Sequence, residues 1–145
     1  MLTQESLSQF SGGTGNYHLF NRMFRNVVAT DGVMHVAEAG GAYWLLEAIA
    51  SHIATNSKLR SGSLGEMQFW RLESREPAKQ KTYGLGPKSD RKEWVLTCRE
   101  DDGIKPAVTQ VIEFSDFPLN KIDLWVAPSQ LGDKMVWVIY LPIEH

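Results

Sequence analysis

Cysteine is nearly absent from this chain of 145 residues: Cys98 stands alone. One thiol excludes an intrachain disulfide and fits a reducing compartment. Long apolar runs are missing too, and none approaches the roughly 20 residues of a membrane-spanning helix. The opening MLTQESLSQF has no basic stretch ahead of an apolar one. No secretory leader is read there, and a cytoplasmic location is expected. Catalytic signatures are equally scarce. The sequence holds no HExxH, no glycine loop ending in Gly-Lys-Ser/Thr, no nucleophile elbow and no spaced calcium-loop ligands. No cofactor or metal is expected. Repeats and low-complexity linkers are also lacking.

What is present is material for a core. Apolar residues make up 43%, with five Trp, four Tyr and six Phe, enough to argue against disorder. The length fits a single domain over 1–145. The net charge of −2 conceals an uneven distribution. Residues 1–57 hold two basic and four acidic side chains, residues 58–92 nine and four, and residues 93–145 four and nine. A basic middle thus lies between acidic flanks.

The hydrophobic period changes along the chain. Residues 1–57 read as helical. A short helix is expected over 3–9, with Thr3 as its cap. SGGTGN (11–16) reads as a connector. Residues 17–29 stay ambiguous: Tyr17, Phe20, Phe24 and Val27 fit a helical stripe, while Val27-Val28 fits a short strand. Thr30-Asp31-Gly32 reads as a turn with Asp31 capping a helix over 33–39, and Gly40-Gly41 weakens the helix beyond it. In AYWLLEAIASHIA, Ala42, Leu45, Leu46, Ile49 and Ile53 form one face at a period of 3.6. Tyr43, Glu47, Ala50 and Ala54 fall off it.

From Met67 the period becomes two. Strands are expected over 67–74, 93–100, 107–114, 121–127 and 134–141, the last apolar on both faces and so central or covered. Short links between most of them predict an antiparallel meander. The expected fold is α+β, with helices on one face of a roughly five-stranded antiparallel sheet over 67–142. One connection is out of scale. REPAKQKTYGLGPKSDRK (75–92) has 18 residues, six basic and two acidic, where hairpin loops usually take about 2–5.

Each candidate for chemistry has a duller rival. His35 and Glu38 share a helix face but lack the further ligands a metal needs. Cys98 alternates onto one strand face with Trp94 and Leu96, which suits a small buried residue better than a nucleophile. The neighbouring Glu100, Asp101 and Asp102 would raise a thiol pKa, and are themselves read as a solvated hairpin tip. His18 and His52 have no partner nearby in sequence. The basic loop is the strongest binding candidate: Lys79, Lys81, Lys88, Arg91 and Lys92 could meet phosphates or an acidic protein surface, with Tyr83 available for stacking. Direct nucleic-acid binding is the weaker version, because the whole chain is acidic.

The ordered set TDGV (30–33), AYWLL (42–46), IAS (49–51), LTCRED (96–101) and DFPL (116–119) resembles an uncharacterised domain-of-unknown-function group of bacteria, phages and plasmids, over about residues 10–142. The resemblance implies a small intracellular single-domain protein. It transfers no activity and no catalytic residue. By analogy, small mobile-element proteins without a catalytic constellation often act by binding. Some bind host defence complexes such as CRISPR effectors, and the acidic 93–145 segment would then mimic phosphate.

The leading expectation is therefore a non-enzymatic protein-binding module, anti-CRISPR-like in manner. Its partner would be a defence or nucleic-acid-processing complex, met through Lys79, Lys81, Tyr83, Lys88, Arg91, Lys92, Asp101, Asp102, Asp116 and Asp123. The alternative is a small enzyme in which Tyr17, His18, Asp31, His35 and Glu38 converge as an acid/base pocket. A self-associating structural protein is the third reading, and the sequence leaves the oligomeric state open.

Overall fold

The computed structural model describes residues 2–9, 16–75, 93–101, 103–112 and 117–144. Among them the chain runs α1 (Gln4–Ser8), β1 (Tyr17–His18), β2 (Val27–Thr30), α2 (Asp31–Ala39), α3 (Tyr43–Thr55), α4 (Gly62–Glu66), β3 (Gln68–Arg75), β4 (Glu93–Arg99), β5 (Val108–Ile112), β6 (Lys121–Leu131) and β7 (Lys134–Tyr140). Short 3-10 turns occupy Arg22–Phe24, Ser57–Arg60 and Pro142–Glu144.

Local chemistry sets the helix starts. Thr3 and Ser6 form a reciprocal capping box at α1, each side chain accepting from the other's backbone N–H at 3.0 Å, as the position of Thr3 suggested. At α2 the cap is Thr30, not Asp31. Thr30 has extended backbone and its hydroxyl faces the Val33 N–H at 3.4 Å, while Asp31 is the first helical residue. Between α2 and α3 the chain reverses at Gly41, whose φ of 61° is a left-handed conformation that glycine adopts without a Cβ penalty.

The α+β class is as expected; the sheet differs. Among the described residues it has seven strands in the order β1-β2-β7-β6-β3-β4-β5, not five in a meander. Two strands came from the ambiguous stretch 17–29: β1 and β2 pair antiparallel, and β2 then pairs parallel to β7. The sheet is therefore mixed. β3-β4-β5 is a true meander and β6-β7 a hairpin, but β5 and β6 are not neighbours. β6 inserts on the other flank of β3. This placement satisfies the backbone of β3 on both edges and puts β7, apolar on both faces, between β2 and β6.

One large core binds the helices to one sheet face. Val33, Val36, Leu45, Leu46, Ile49 and Ile53 join Trp70, Leu72, Trp94, Leu96, Cys98, Leu124, Val126 and Ile139. The helical stripe Ala42, Leu45, Leu46, Ile49, Ile53 is buried throughout, and Ala50, which fell off it in projection, is buried as well. Gln68 lies in the same region and is satisfied: it donates to the Leu59 carbonyl and accepts from the Trp70 indole N–H, both at 2.8 Å.

Candidate functional site

Side chains alternate across a strand, so the strands that bury Trp70, Leu72, Leu96 and Leu124 under the helices turn their other residues to the opposite face. There Phe69, Trp125 and Tyr140 fall in one cross-strand row, paired in register. Phe69 meets Trp125 edge-on, with centroids 5.3 Å apart and planes at 82°, and Trp125 meets Tyr140 at 6.0 Å and 87°. Edge-to-face packing places the positive ring edge on the negative ring face. The Tyr140 hydroxyl donates to the Met67 sulfur at 3.4 Å, and burial raises its pKa above the ordinary phenol value.

The next row is charged. Arg71 grips Asp123 through Nε at 2.7 Å and through a second nitrogen at 3.5 Å. Beyond β4, the link to β5 forms a wall. Arg99 holds it by donating from Nε to the Ile104 carbonyl at 3.0 Å, while its Nη1 donates to the Thr97 hydroxyl at 2.9 Å. Phe69, Trp125, Arg71 and Asp123 thus floor a groove of about 680 Å3, walled by Arg99, Asp101, Ile104, Lys105 and Pro106. A smaller groove of about 290 Å3 runs between α1 and the start of β6 and shares Asp123 and Pro142 with the first. An aromatic floor with walls of mixed charge, Arg99 and Lys105 beside Asp101, suits apolar or aromatic side chains flanked by polar or charged groups.

Of the ten residues singled out for binding, Asp101 and Asp123 line this groove together. Lys79, Lys81, Tyr83, Lys88, Arg91, Lys92, Asp102 and Asp116 lie outside the described residues. The acidic third of the chain is partly committed within the protein. Asp123 is held by Arg71, the buried Glu93 accepts from Arg75 Nε at 2.5 Å, and Glu144 closes the start of α2. Those three carboxylates are not free charges for a phosphate-mimicking surface.

The enzyme candidates separate. His18 contacts Asp31 through Nε2, and Asn16 donates to the other Asp31 oxygen at 3.1 Å. His35 faces Ser6 at 3.1 Å. Glu38 accepts from the Tyr43 hydroxyl at 3.2 Å; lost hydration, and then that carboxylate, raise the tyrosine pKa. His18 and Asp31 thus meet, and neither lines the two grooves just described. Tyr17 is 42% exposed on β1. Among the described residues, no three His, Cys, Asp or Glu side chains form a group able to hold a metal. Cys98 is fully buried, and burial pushes its thiol up to about 12 against a smaller opposing pull from Arg99. The cause is desolvation, rather than the acidic neighbours that the sequence suggested. His52 bridges to Gln110 at 2.7 Å beside Trp70.

Phe69, Arg71, Arg99, Lys105 and Trp125 escaped the sequence reading. A signal for two of them was there. Phe69-Trp70 and Leu124-Trp125 set two large apolar residues side by side in strands, and a strand can bury only one of each pair on a given face.

The model of a family of unknown function, DUF6876, matches residues 1–145. No curated protein and no solved structure matches the chain.

Proposed function

The chain belongs to DUF6876, a family of unknown function, and we propose that it is a non-enzymatic binding module that receives a protein partner on the helix-free face of its sheet. The observation that carries this reading is the row Phe69, Trp125, Tyr140 beside the groove walled by Arg99 and Lys105. Trp, Tyr and Arg around a concave apolar patch are the residue types that dominate binding energy at protein interfaces. Aromatic anchors supply large contact area at low entropy cost, and flanking charges set register and partner choice. The partner segment that fits presents an apolar or aromatic side chain to the floor and a carboxylate to Arg99 or Lys105. A defence or nucleic-acid-processing complex, suggested only by analogy with small mobile-element proteins, is the partner class we carry forward within this reading. The basic 75–92 loop is the rival interface.

Affinity capture from the native host, with mass spectrometry, supplies the partner. Capture is then repeated with Trp125→Ala, with the pair Arg99→Glu and Lys105→Glu, and with charge reversal at Lys79, Lys81, Lys88 and Arg91. Circular dichroism confirms that each variant is folded. The groove variants are expected to lose the partner while the loop variant keeps it. Retention by both groove variants overturns the groove, and loss only in the loop variant moves the interface there.

The acid/base alternative rests on the His18–Asp31 contact. That pair joins β1 to the start of α2, which gives it a structural role without any reaction.

A further inference from the structure

β6 outruns its partner. Its 11 residues, Lys121–Leu131, pair with β7 only from Trp125 onward, where Trp125 stands opposite Tyr140. Continuing that register would set Leu124 opposite Leu141 and Asp123 opposite Pro142. Pro142 has no N–H to give, and the Leu141 N–H is turned to the Glu144 carboxylate at 2.8 Å. The chain therefore leaves the sheet in the turn Pro142–Glu144. On the other flank, β3 stays paired as far as Glu73 opposite Lys121, and the Ser74 N–H donates to the Asn120 carbonyl at 2.9 Å. Backbone groups alternate in direction along a strand. The N–H and C=O of Lys121 and Asp123 thus face away from β3, into the gap that β7 leaves. Among the described residues no backbone group pairs with them there, and residues 117–144, which form both sides of the gap, are described throughout.

The two grooves meet at this gap and share Asp123 and Pro142. Asp123 projects with Trp125 to the helix-free face, into the larger groove. Ile122 projects to the helix side, where Leu7, Leu141 and the 42% exposed Ile143 line the smaller one. We infer that the gap is a strand-addition site: an extended segment of a partner protein pairs with the β6 backbone at Lys121 and Asp123 and sends alternate side chains into the two grooves. This deepens the binding function proposed above and rests on it. An extended strand fills both grooves and the gap together, because its successive side chains point to opposite faces while its backbone stays free to pair. A helix presents one stripe of side chains and keeps its backbone bonds to itself, so it would leave the β6 groups unmet. The lining sets the chemistry of the segment. Arg71, Arg99, Lys105 and Lys121 outnumber Asp101 and Asp123 along the two grooves. The segment that fits is therefore acidic, with an aromatic residue for the Phe69–Trp125 floor and an aliphatic residue next to it for Leu7 and Ile143.

The test is a displayed library of short random peptides selected on the full chain, with the Trp125→Ala chain as counter-selection. Enriched peptides are expected to set an aromatic residue beside an aliphatic one among carboxylates. Two readouts then report on the backbone. Bound peptide is expected to slow hydrogen exchange of the Lys121 and Asp123 amides by about tenfold or more. Lys121→Pro removes one of these donors at a strand position where proline is tolerated. It is expected to weaken peptide binding by about three- to tenfold relative to Lys121→Ala, which removes the charge and keeps the N–H. Circular dichroism checks both variants, and if Lys121→Pro does not fold, exchange in the wild-type chain decides. Peptides that need Trp125 but leave both amides unprotected overturn strand addition while the groove reading stands. Equal binding by folded Lys121→Pro and Lys121→Ala overturns it too. A library that enriches nothing over the counter-selection also overturns strand addition, and capture with the groove variants then judges the groove separately.

Discussion

Glu144 closes the beginning of α2 from 114 positions away in sequence: its Oε1 accepts from the Thr30 hydroxyl at 2.6 Å. The same oxygen accepts the Leu141 N–H at 2.8 Å, and Oε2 accepts the Gly32 N–H at 3.2 Å. One carboxylate thereby satisfies an orphan helix donor, stands at the positive end of the helix dipole and ties down the turn that follows β7. Gly32 explains why the approach is close, since a Cβ there would lie 2.7 Å from Leu141 and 2.8 Å from Glu144.

Removing that carboxylate should therefore cost stability in a graded way. Glu144→Ala loses all three acceptances and is expected to destabilise the protein by about 2–3 kcal/mol, lowering the melting temperature by about 4–12 °C. Glu144→Gln can keep the two bonds to Oε1 while setting an amide donor against the Gly32 N–H, and should cost less. Thermal melts of both variants decide it. Equal loss in the two would mean that the negative charge matters, rather than the acceptor geometry.

Leu46 has no exposed surface and lies in the cluster that joins α3 to the sheet. Leu46→Ala is expected to cost about 2–5 kcal/mol through lost transfer energy and the cavity left behind. Chemical denaturation should show a lower midpoint with an unchanged slope, because the exposed surface on unfolding hardly changes. A midpoint within error of wild type would contradict the central place given to this helix.

The contrast between Leu46 and Glu144 shows what could be read in the sequence. Leu46 belongs to a local period of 3.6, so its burial was legible from four neighbours on the same face. So were the Thr3 cap of α1 and the strand face that alternates Trp94, Leu96 and Cys98, although the cap of α2 fell on Thr30 and not on Asp31. Contacts at long separation were not. β2 offers only four residues, all buried, too few to show a period, and its parallel partner β7 lies more than a hundred positions on. The insertion of β6 beside β3 is likewise a pairing between distant segments, which local pattern does not encode. For the groove, Asp101 and Asp123 were named for their charge, whereas the aromatic floor was hidden because Phe69 and Trp125 look like core residues until the strand faces are assigned.

Cys98 gives the fold a pH signature. An unfolded chain ionises this thiol near its ordinary value of 9.0, whereas in the folded protein burial holds it protonated up to about 12. Between those values the folded state binds the extra proton, so its stability is intact below pH 9 and falls as pH rises towards 12. Within that window each pH unit costs about 1.4 kcal/mol from this group. Denaturant titrations at pH 8, 9 and 10 should show the decline in wild type and a shallower one in Cys98→Ala. A matching prediction is that iodoacetamide at pH 8 leaves the native thiol intact and modifies it only after unfolding.

Arg71 and Asp123 form the charged row of the groove, with side chains 39% and 33% exposed. At that exposure water screens the pair and ordering two side chains offsets part of the attraction, so its coupling should be about 0.2–1 kcal/mol. A double-mutant cycle with Arg71→Gln and Asp123→Asn measures it. Little stability is at stake, so both single variants should fold, and they then become probes of recognition. Asp123→Asn removes the carboxylate that Arg71 holds on the groove floor. If the partner brings a carboxylate of its own, that variant should bind it at least as tightly as wild type, while Arg71→Gln should bind it less well. The opposite order, with Asp123→Asn weaker and Arg71→Gln unaffected, would mean that the partner brings a cation, and would reverse the charge assigned to the bound segment.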